Sequence, residues 1–311
     1  MKLVDGVLHS YSGLIPEYNK NIAQFRTLAT SLGEEFSLLD YRYFVIQMLY
    51  LVEYADYNSQ NKLGNGLVNG QSAKALIAET GVNRIIVSST NLYVGRIVGI
   101  GTDWASNSVA KDRKITKVEN YSDGNVSGKV IYFDGDPVNI AVNNTIWGSG
   151  QESGQCDELG MKSGCLINDS IHSMIYRGIE NIFGNMWQFV DGMNIKDRIM
   201  YLCKDHTKYK SDLFESPYKK LGYTNGDTNG YVKTLGFDPD EPLARFPIEV
   251  GAGASSGMSD YYWQNPGNRI ALVGGHFYYG AYCGFWYWAL SDGSSFASVS
   301  GGCRVLIDNQ K

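Results

Sequence analysis

Several kinds of segment that would assign this chain to a functional class are missing from it. It has no block of Lys or Arg and carries a formal charge of -5, so nucleic acid is not expected to be its main partner. No apolar run is long enough to cross a bilayer, so membrane insertion is not expected. Residues 1–10 lack the apolar core of a secretory signal, which favours a protein made in the cytoplasm without one.

The chain also has few cysteines and histidines, and none is spaced as in a metal site. The five cysteines are Cys156, Cys165, Cys203, Cys283 and Cys303. Their scatter favours buried, reduced thiols over a disulfide framework, with a Cys156–Cys165 bridge as the open alternative. The four histidines show no ligand spacing either. We therefore expect neither a metal nor a cofactor.

Two short motifs that could carry polar chemistry have simpler interpretations. Asp169 and His172 are three residues apart, a spacing more typical of an ordinary polar contact than of a catalytic dyad. Asp134-Gly135-Asp136 lacks the further carboxylates of a calcium loop, so a turn is expected there. No catalytic centre is predicted, and the protein is not expected to be an enzyme.

The chain is rich in glycine and, near its C-terminus, in aromatic side chains. It contains 36 glycines and only 7 prolines, which is typical of many turns and short strands. Eight of the thirteen residues from 276 to 288 are Phe, Tyr or Trp, and residues 289–300 are almost all small. Rigid rings beside adaptable Ser, Gly and Asp side chains make up the composition of an antibody combining site. This segment therefore predicts a binding surface.

The rest of the sequence predicts an α+β architecture. A short helix is expected over 22–32, and apolar residues three and four apart predict a long helix from an N-cap at Ser37 to Tyr57. Its buried stripe would comprise Leu38, Leu39, Phe44, Val45, Met48, Leu49, Leu51 and Val52. Short β-rich runs within residues 84–145 predict a small antiparallel subdomain inserted into one domain that spans 1–311.

Two stretches together resemble the C-type-lectin-like fold shared by formylglycine-generating enzymes and the variable proteins of diversity-generating retroelements. The first surrounds Gly184-Asn185-Met186-Trp187 and is similar to the family's GN-hydrophobic-W core motif. The second runs from Gly274-Gly275 to Arg304 and resembles the closing GG…GxR segment. The long helix predicted above is similar to the one that precedes these motifs in the family. The resemblance implies an α+β, C-type-lectin-like fold.

The core motif is expected to hold the fold together and not to act on a ligand. Trp187 offers a large body for a core to pack around, and Gly184 and Gly192 permit a tight backbone beside it. Asn185 and Asp191 can satisfy backbone groups in a loop-rich fold.

The resemblance to the variable proteins implies that residues 270–311 form a variable region. In that family the diversified positions derive from adenine-rich codons, which can give rise to Tyr, His, Ser, Asp, Ala and Phe. The ligand-binding positions implied here are His276, Tyr278, Tyr279, Tyr282, Ala289, Ser291, Asp292, Phe296, Ser298 and Ser300.

Strand alternation makes a separate prediction for part of this region. If residues 284–291 are extended, Trp286, Trp288 and Leu290 face the core, whereas Phe285, Tyr287, Ala289 and Ser291 face outward. An exposed aromatic patch of this size on a folded protein usually marks a binding site. The rings of Tyr278, Tyr279 and Tyr282 are therefore expected to be accessible.

These observations lead to ligand recognition as the expected function. The chain is expected to be a phage or viral host-attachment protein that binds a protein or glycan receptor on a cell surface. The expected location is the virion surface or an extracellular face, where homo-oligomeric or multivalent display would raise avidity.

Two alternatives stay open. One is an oxidase of the formylglycine-generating type, which in that family uses a cysteine pair near the end of the domain. Cys283 and Cys303 are available for it, but Cys303 precedes Arg304 and does not follow it. The other is a carbohydrate-binding lectin module, in which aromatic stacking and hydrogen bonds would hold the sugar.

Overall fold

A computed structural model describes residues 1–224, 229–253, 255 and 257–308, so residues 309–311 of the expected variable region lie outside the described residues. The described residues form a mainly β protein with few helices. The helices are α1 (Ile22–Thr30), α2 (Tyr43–Tyr54) and α3 (Ser59–Leu63). The strands are β1 (Lys2–Val4), β2 (Val7–His9), β3 (Phe36–Leu38), β4 (Ser72–Lys74), β5 (Glu79–Val82), β6 (Arg84–Val87), β7 (Ile97–Gly101), β8 (Ala110–Ser122), β9 (Ser127–Phe133), β10 (Val138–Ile140), β11 (Thr145–Gly148), β12 (Gly164–Cys165), β13 (Met174–Tyr176), β14 (Ile179–Glu180), β15 (Trp187–Lys196), β16 (Ile199–Leu202), β17 (Lys219–Thr224), β18 (Gly230–Asp238), β19 (Glu241–Ala252), β20 (Tyr261–Gln264), β21 (Asn268–Val273), β22 (Trp288–Leu290), β23 (Gly301–Gly302) and β24 (Val305–Ile307).

The chain divides into two compact units. Asn69–Glu152 form an inserted unit, and Met1–Val68 with Ser153–Lys311 form the main unit. The inserted unit has a six-stranded sheet in the order β4-β11-β7-β8-β9-β6, with its own buried core around Ile85, Val98 and Ile131. The inserted unit extends beyond the predicted range 84–145 at both ends. It begins earlier because strand β4 pairs with β11.

The predicted turn at residues 134–136 of the inserted unit is confirmed. Gly135 has a φ of +82°, a left-handed conformation that favours glycine. The Asp134 carboxylate accepts a hydrogen bond from the Lys114 amide at 2.8 Å, which fastens the turn to β8.

The main unit is built on a sheet in the order β17-β16-β15-β21-β22-β20-β18-β19, with β23 beside β15. Residues directly opposite one another in a sheet point to the same face. One such row, which defines the front face, contains Phe189, Leu272, Ala289 and Trp263. The adjacent row, which defines the back face, contains Gln188, Val273, Trp288 and Tyr262.

Helix α1 lies on the front face and begins where the sequence predicts. The Asn21 side chain accepts a hydrogen bond from the Gln24 amide, and the Gln24 side chain accepts one from the Asn21 amide, each at 2.9 Å. This reciprocal cap fixes the first turn. The ring of Phe25 then packs 5.7 Å from that of Phe189, measured between centroids.

Helix α2 differs from the prediction in both its start and its buried side. Residues 36–38 form strand β3, paired with β24, so Ser37 is in a sheet and the helix begins six residues later, at Tyr43. The side facing the protein consists of Tyr43, Gln47 and Tyr50, which are all fully buried. The predicted stripe is wrong at four positions, because Val45, Met48, Leu49 and Val52 are exposed.

The aromatic back face explains which side of α2 is buried. Tyr43 packs edge-on against Trp288 at 6.4 Å, and Tyr50 packs against Trp286 at 5.8 Å. Tyrosine rings bury more area against indoles than valine or methionine would, and edge-to-face ring pairs add further stabilisation. The apolar residues whose spacing predicted the buried stripe of α2 therefore lie mostly on its exposed side.

The core motif holds the fold as predicted. Trp187 is only 5% exposed. The Gly184 amide donates to the Gly274 carbonyl at 3.0 Å, and the Asn185 carbonyl accepts from the Phe277 amide at 3.1 Å. The two stretches that carry the resemblance are therefore hydrogen-bonded to each other.

Glycine is required at position 184 of this motif. Its φ is +70°, and a Cβ there would lie 2.7 Å from the Leu67 carbonyl oxygen. Both the left-handed backbone and the close approach exclude a larger residue.

Arg304 ties the closing segment to the same motif. Its guanidinium donates to the side chain of Gln188 and to the main-chain oxygens of Glu180 and Asn181, the last at 2.6 Å. Burial lowers the pKa of Arg304 to about 10, which still leaves the group charged at neutral pH. The cation thus satisfies carbonyl groups that a loop would otherwise leave without partners.

Candidate functional site

Two parts of the C-terminal segment lie over the front face of the main sheet. Tyr279 packs against Trp187 at 5.6 Å and against Tyr287 at 5.5 Å between ring centroids. Further along the segment, Phe296 packs against Phe189 at 6.1 Å. Trp187 and Phe189 are alternate residues of β15, so the fold brings positions 279 and 296 to one side of the same sheet.

Tyr282 lies at the other end of this row of rings. The 3-10 turn Gly280–Tyr282 places its ring 4.6 Å from that of Tyr261 and 5.7 Å from that of Tyr231. Tyr279 and Tyr282 are half-buried by these contacts. An alanine at either position would therefore remove packing as well as an accessible ring.

Three of the ten predicted positions are buried, and their assignment to an exposed surface is wrong. His276, Ala289 and Ser300 are only 4%, 3% and 7% exposed. Burial also lowers the pKa of His276 to about 3, so its imidazole is neutral at physiological pH. These residues belong to the framework because Tyr279 covers His276, and Ala289 lies between Leu272 and Trp263 in the sheet.

The predicted outward face of residues 284–291 is also wrong. Only 288–290 form a strand, and Phe285 and Tyr287 are fully buried like Trp286. Adjacent strand residues do point to opposite faces, but both faces of this sheet are covered. Helix α2 covers one, and α1 with the segment after β22 covers the other.

The polar positions of the segment are partly accessible. Ser291 donates to the Asp292 carboxylate at 3.1 Å, and the Asp292 carbonyl accepts from the Ile270 amide at 2.9 Å. Burial raises the pKa of the Asp292 carboxyl, although Ser291 opposes this shift. The hydroxyls of Ser298 and Ser300 lie 3.0 Å apart. Backbone bonds hold this loop in place while its half-buried side chains can meet a ligand.

Seven predicted positions therefore remain accessible and constitute the candidate site. They are Tyr278, Tyr279, Tyr282, Ser291, Asp292, Phe296 and Ser298. Tyr278 is the most open ring among them, at 48% exposure.

Sequence reasoning missed three aromatic residues beside this site. Tyr231, Tyr261 and Trp263 are half-buried, and Tyr261 contacts both of the others at 5.2 and 5.0 Å between centroids. The run Tyr261-Tyr262-Trp263 could have indicated Tyr261 and Trp263, since an aromatic strand places alternate rings on each side of a sheet. Tyr262 faces the back and is fully buried.

The cysteines are protonated in this environment. All five are free, including Cys156 and Cys165. Burial raises the pKa of Cys303 to about 11 and that of Cys283 well above its usual range. Because the thiolate is the reactive form, this environment does not activate either thiol.

The polar pair Asp169 and His172 forms a contact within a turn. The His172 ring lies 2.8 Å from the Asp169 carboxylate, which also accepts the Ile171 and His172 amides, as in an ordinary polar turn. Across residues 1–224, 229–253, 255 and 257–308, no group of three or more His, Cys, Asp or Glu side chains could hold a metal ion. The same residues contain no helix that combines the length and apolarity needed to span a membrane.

No model of a known protein family matches this chain, and it matches no curated protein sequence.

Proposed function

We propose that the protein is a ligand-recognition protein of C-type-lectin-like fold that belongs with the variable proteins of diversity-generating retroelements. Its binding surface would be the seven accessible positions defined above. The observation that carries this proposal is that aromatic side chains from two parts of one segment lie over one sheet face. Buried rings and backbone hydrogen bonds support them.

This arrangement suits recognition because its parts have separate roles. Rigid rings give contact area at a low entropy cost, and small hydroxyl side chains adapt their hydrogen bonds. The buried residues beneath them, such as Trp187 and Tyr287, would keep most of the framework's packing when the outer side chains change. A surface of this kind can change its specificity while the fold stays constant.

The biological setting follows as part of the same proposal. A phage or viral attachment protein, or a cellular surface protein of this class, would bind a receptor on a cell. Single sites of this size often bind weakly, and multivalent display would raise avidity. The protein would act by binding and not by catalysis, in keeping with its protonated cysteines.

The DNA next to the gene provides the test. We expect a reverse-transcriptase gene and a near-copy of the region that encodes residues 270–311, differing from it at adenines. The differences should fall in codons of the seven accessible positions. Codons for His276, Ala289 and Ser300 should differ rarely, because their side chains are buried. A locus without the repeat and the reverse transcriptase would contradict the proposed class.

A further inference from the structure

A cleft at one end of the front face extends beyond the seven predicted positions. Its volume is about 550 Å³, within the usual range of small ligand sites. Hairpin β18–β19 forms one side of it, and Tyr261 with Tyr282 forms another. The lining residues used below are Asn229, Tyr231, Ile248, Glu249, Tyr261 and Tyr282.

The three tyrosines form one continuous wall of the cleft. Their ring centroids are 4.6 Å apart for Tyr261 and Tyr282, 5.2 Å for Tyr231 and Tyr261, and 5.7 Å for Tyr231 and Tyr282. At these distances the rings touch one another, so no cation fits between them as it would in an aromatic cage. The wall instead presents ring surfaces on which a flat or compact apolar group can pack.

The Glu249 carboxylate and the Asn229 side-chain oxygen in the cleft already have partners within the protein. Glu249 accepts from the Lys233 ammonium at 2.6 Å and from the Thr234 hydroxyl at 2.9 Å. The Asn229 side-chain oxygen accepts from the Gln264 amide at 2.9 Å. A sugar brings many hydroxyls that need new partners, and a charged ligand needs an unneutralised opposite charge. The cleft therefore suits a neutral ligand with flat apolar parts and few polar groups.

We infer that this cleft binds an extended, proline-containing segment of a protein partner. Proline rings are compact, apolar and neutral, and a polyproline II chain makes no internal hydrogen bonds, so its carbonyls can accept from tyrosine hydroxyls. The aromatic wall and the aliphatic side chain of Ile248 supply the apolar contacts. This inference rests on the proposed recognition function and assigns a peptide, not a glycan, to this end of the surface.

The first measurement is a titration of the full chain with a ten-residue polyproline peptide, followed by NMR. We expect saturable shifts at Tyr231, Tyr261 and Tyr282. A glycine–serine peptide of the same length and a neutral cello-oligosaccharide should cause none. Binding of the oligosaccharide alone, binding of neither probe, or shifts confined to other residues would overturn the inference.

Substitutions at Tyr231 separate stacking from hydrogen bonding. Tyr231→Ala should weaken peptide binding about tenfold or more, and Tyr231→Phe should weaken it less because the ring remains. Tyr11→Ala, at a ring that is 55% exposed outside the cleft, is the matched control and should bind normally. Equal affinity in all three variants would contradict the assigned site, and the Phe variant preserves the test if the Ala variant unfolds. None of these results depends on the adenine-directed repeat. The peptide-binding inference can therefore be contradicted while the proposed class of protein stands.

Discussion

Asp260→Asn is expected to remove the fall in folding stability that accompanies rising pH between about pH 6.5 and pH 8. The Asp260 side chain is 1% exposed, and burial raises its pKa to about 8, with the Trp286 amide, 2.8 Å away, opposing the shift. The unfolded chain has the ordinary value of about 3.9. The folded state therefore binds a proton more tightly than the unfolded state.

The sign of the effect follows from this difference. The stability that Asp260 contributes is fully present below about pH 4 and is lost as the pH rises toward the folded pKa, by up to about 1.4 kcal/mol per pH unit. Buried His276, with its pKa lowered to about 3, opposes this loss up to its ordinary value of about 6.5, so the Asp260 effect is clearest above that pH. Asparagine keeps the size of the side chain and can still accept from Trp286, but it carries no charge. Asp260→Asn should accordingly be more stable than the parent protein at pH 8 and have a flatter profile above about pH 6.5.

Urea unfolding at several pH values measures this profile. Asp240→Asn is the control because the Asp240 side chain is 82% exposed, and the variant should retain the parent slope. A profile for Asp260→Asn that parallels that of the parent protein would show that this carboxyl is not the titrating group.

Arg26→Met is expected to lower the free energy of unfolding by about 3–5 kcal/mol, because it leaves a buried charge unpaired. The Arg26 guanidinium contacts both carboxylate oxygens of Asp191, at 2.7 and 2.8 Å. Asp191 is 2% exposed and also accepts from the Gly192 amide at 2.9 Å. The pair connects α1 to β15.

A double-mutant cycle isolates the contribution of this ion pair. Arg26→Met combined with Asp191→Asn should be more stable than Arg26→Met alone, since the amide removes the unpaired charge and preserves the Gly192 bond. Denaturant unfolding at pH 7 gives all four free energies. Additive losses would mean that the two groups do not interact.

Local patterns in the sequence predicted the parts of the fold that depend on local contacts. The start of α1, the turn at residues 134–136 and the glycine beside Trp187 all arise from neighbouring residues. Helix α2 was misplaced because Ser37 pairs with Leu306, far along the chain. The side of α2 that is buried is the one that packs against Trp286 and Trp288. These residues are far along the chain, so the periodicity within the helix could not indicate that side.

The candidate site shows the same limit. The alternation of residues along a strand correctly places Trp288 and Ala289 on opposite faces of the sheet. It cannot show that other parts of the chain cover both of those faces. That coverage comes from α1, α2 and the loop that carries Phe296, all brought together by the tertiary fold. Composition indicated a binding segment, and only tertiary contacts divide it into framework residues and accessible residues.

If the proposed function is right, the accessible side chains can vary without loss of the framework beneath them. Two display libraries of the full chain test this, one randomised at the seven accessible positions and the other at His276, Ala289 and Ser300. Protease resistance measures the folded fraction, and selection on an immobilised protein measures binding. We expect mostly folded members and enriched binders in the first library, and mostly unfolded members in the second. Equal tolerance in both, or collapse of the first, would contradict this expectation.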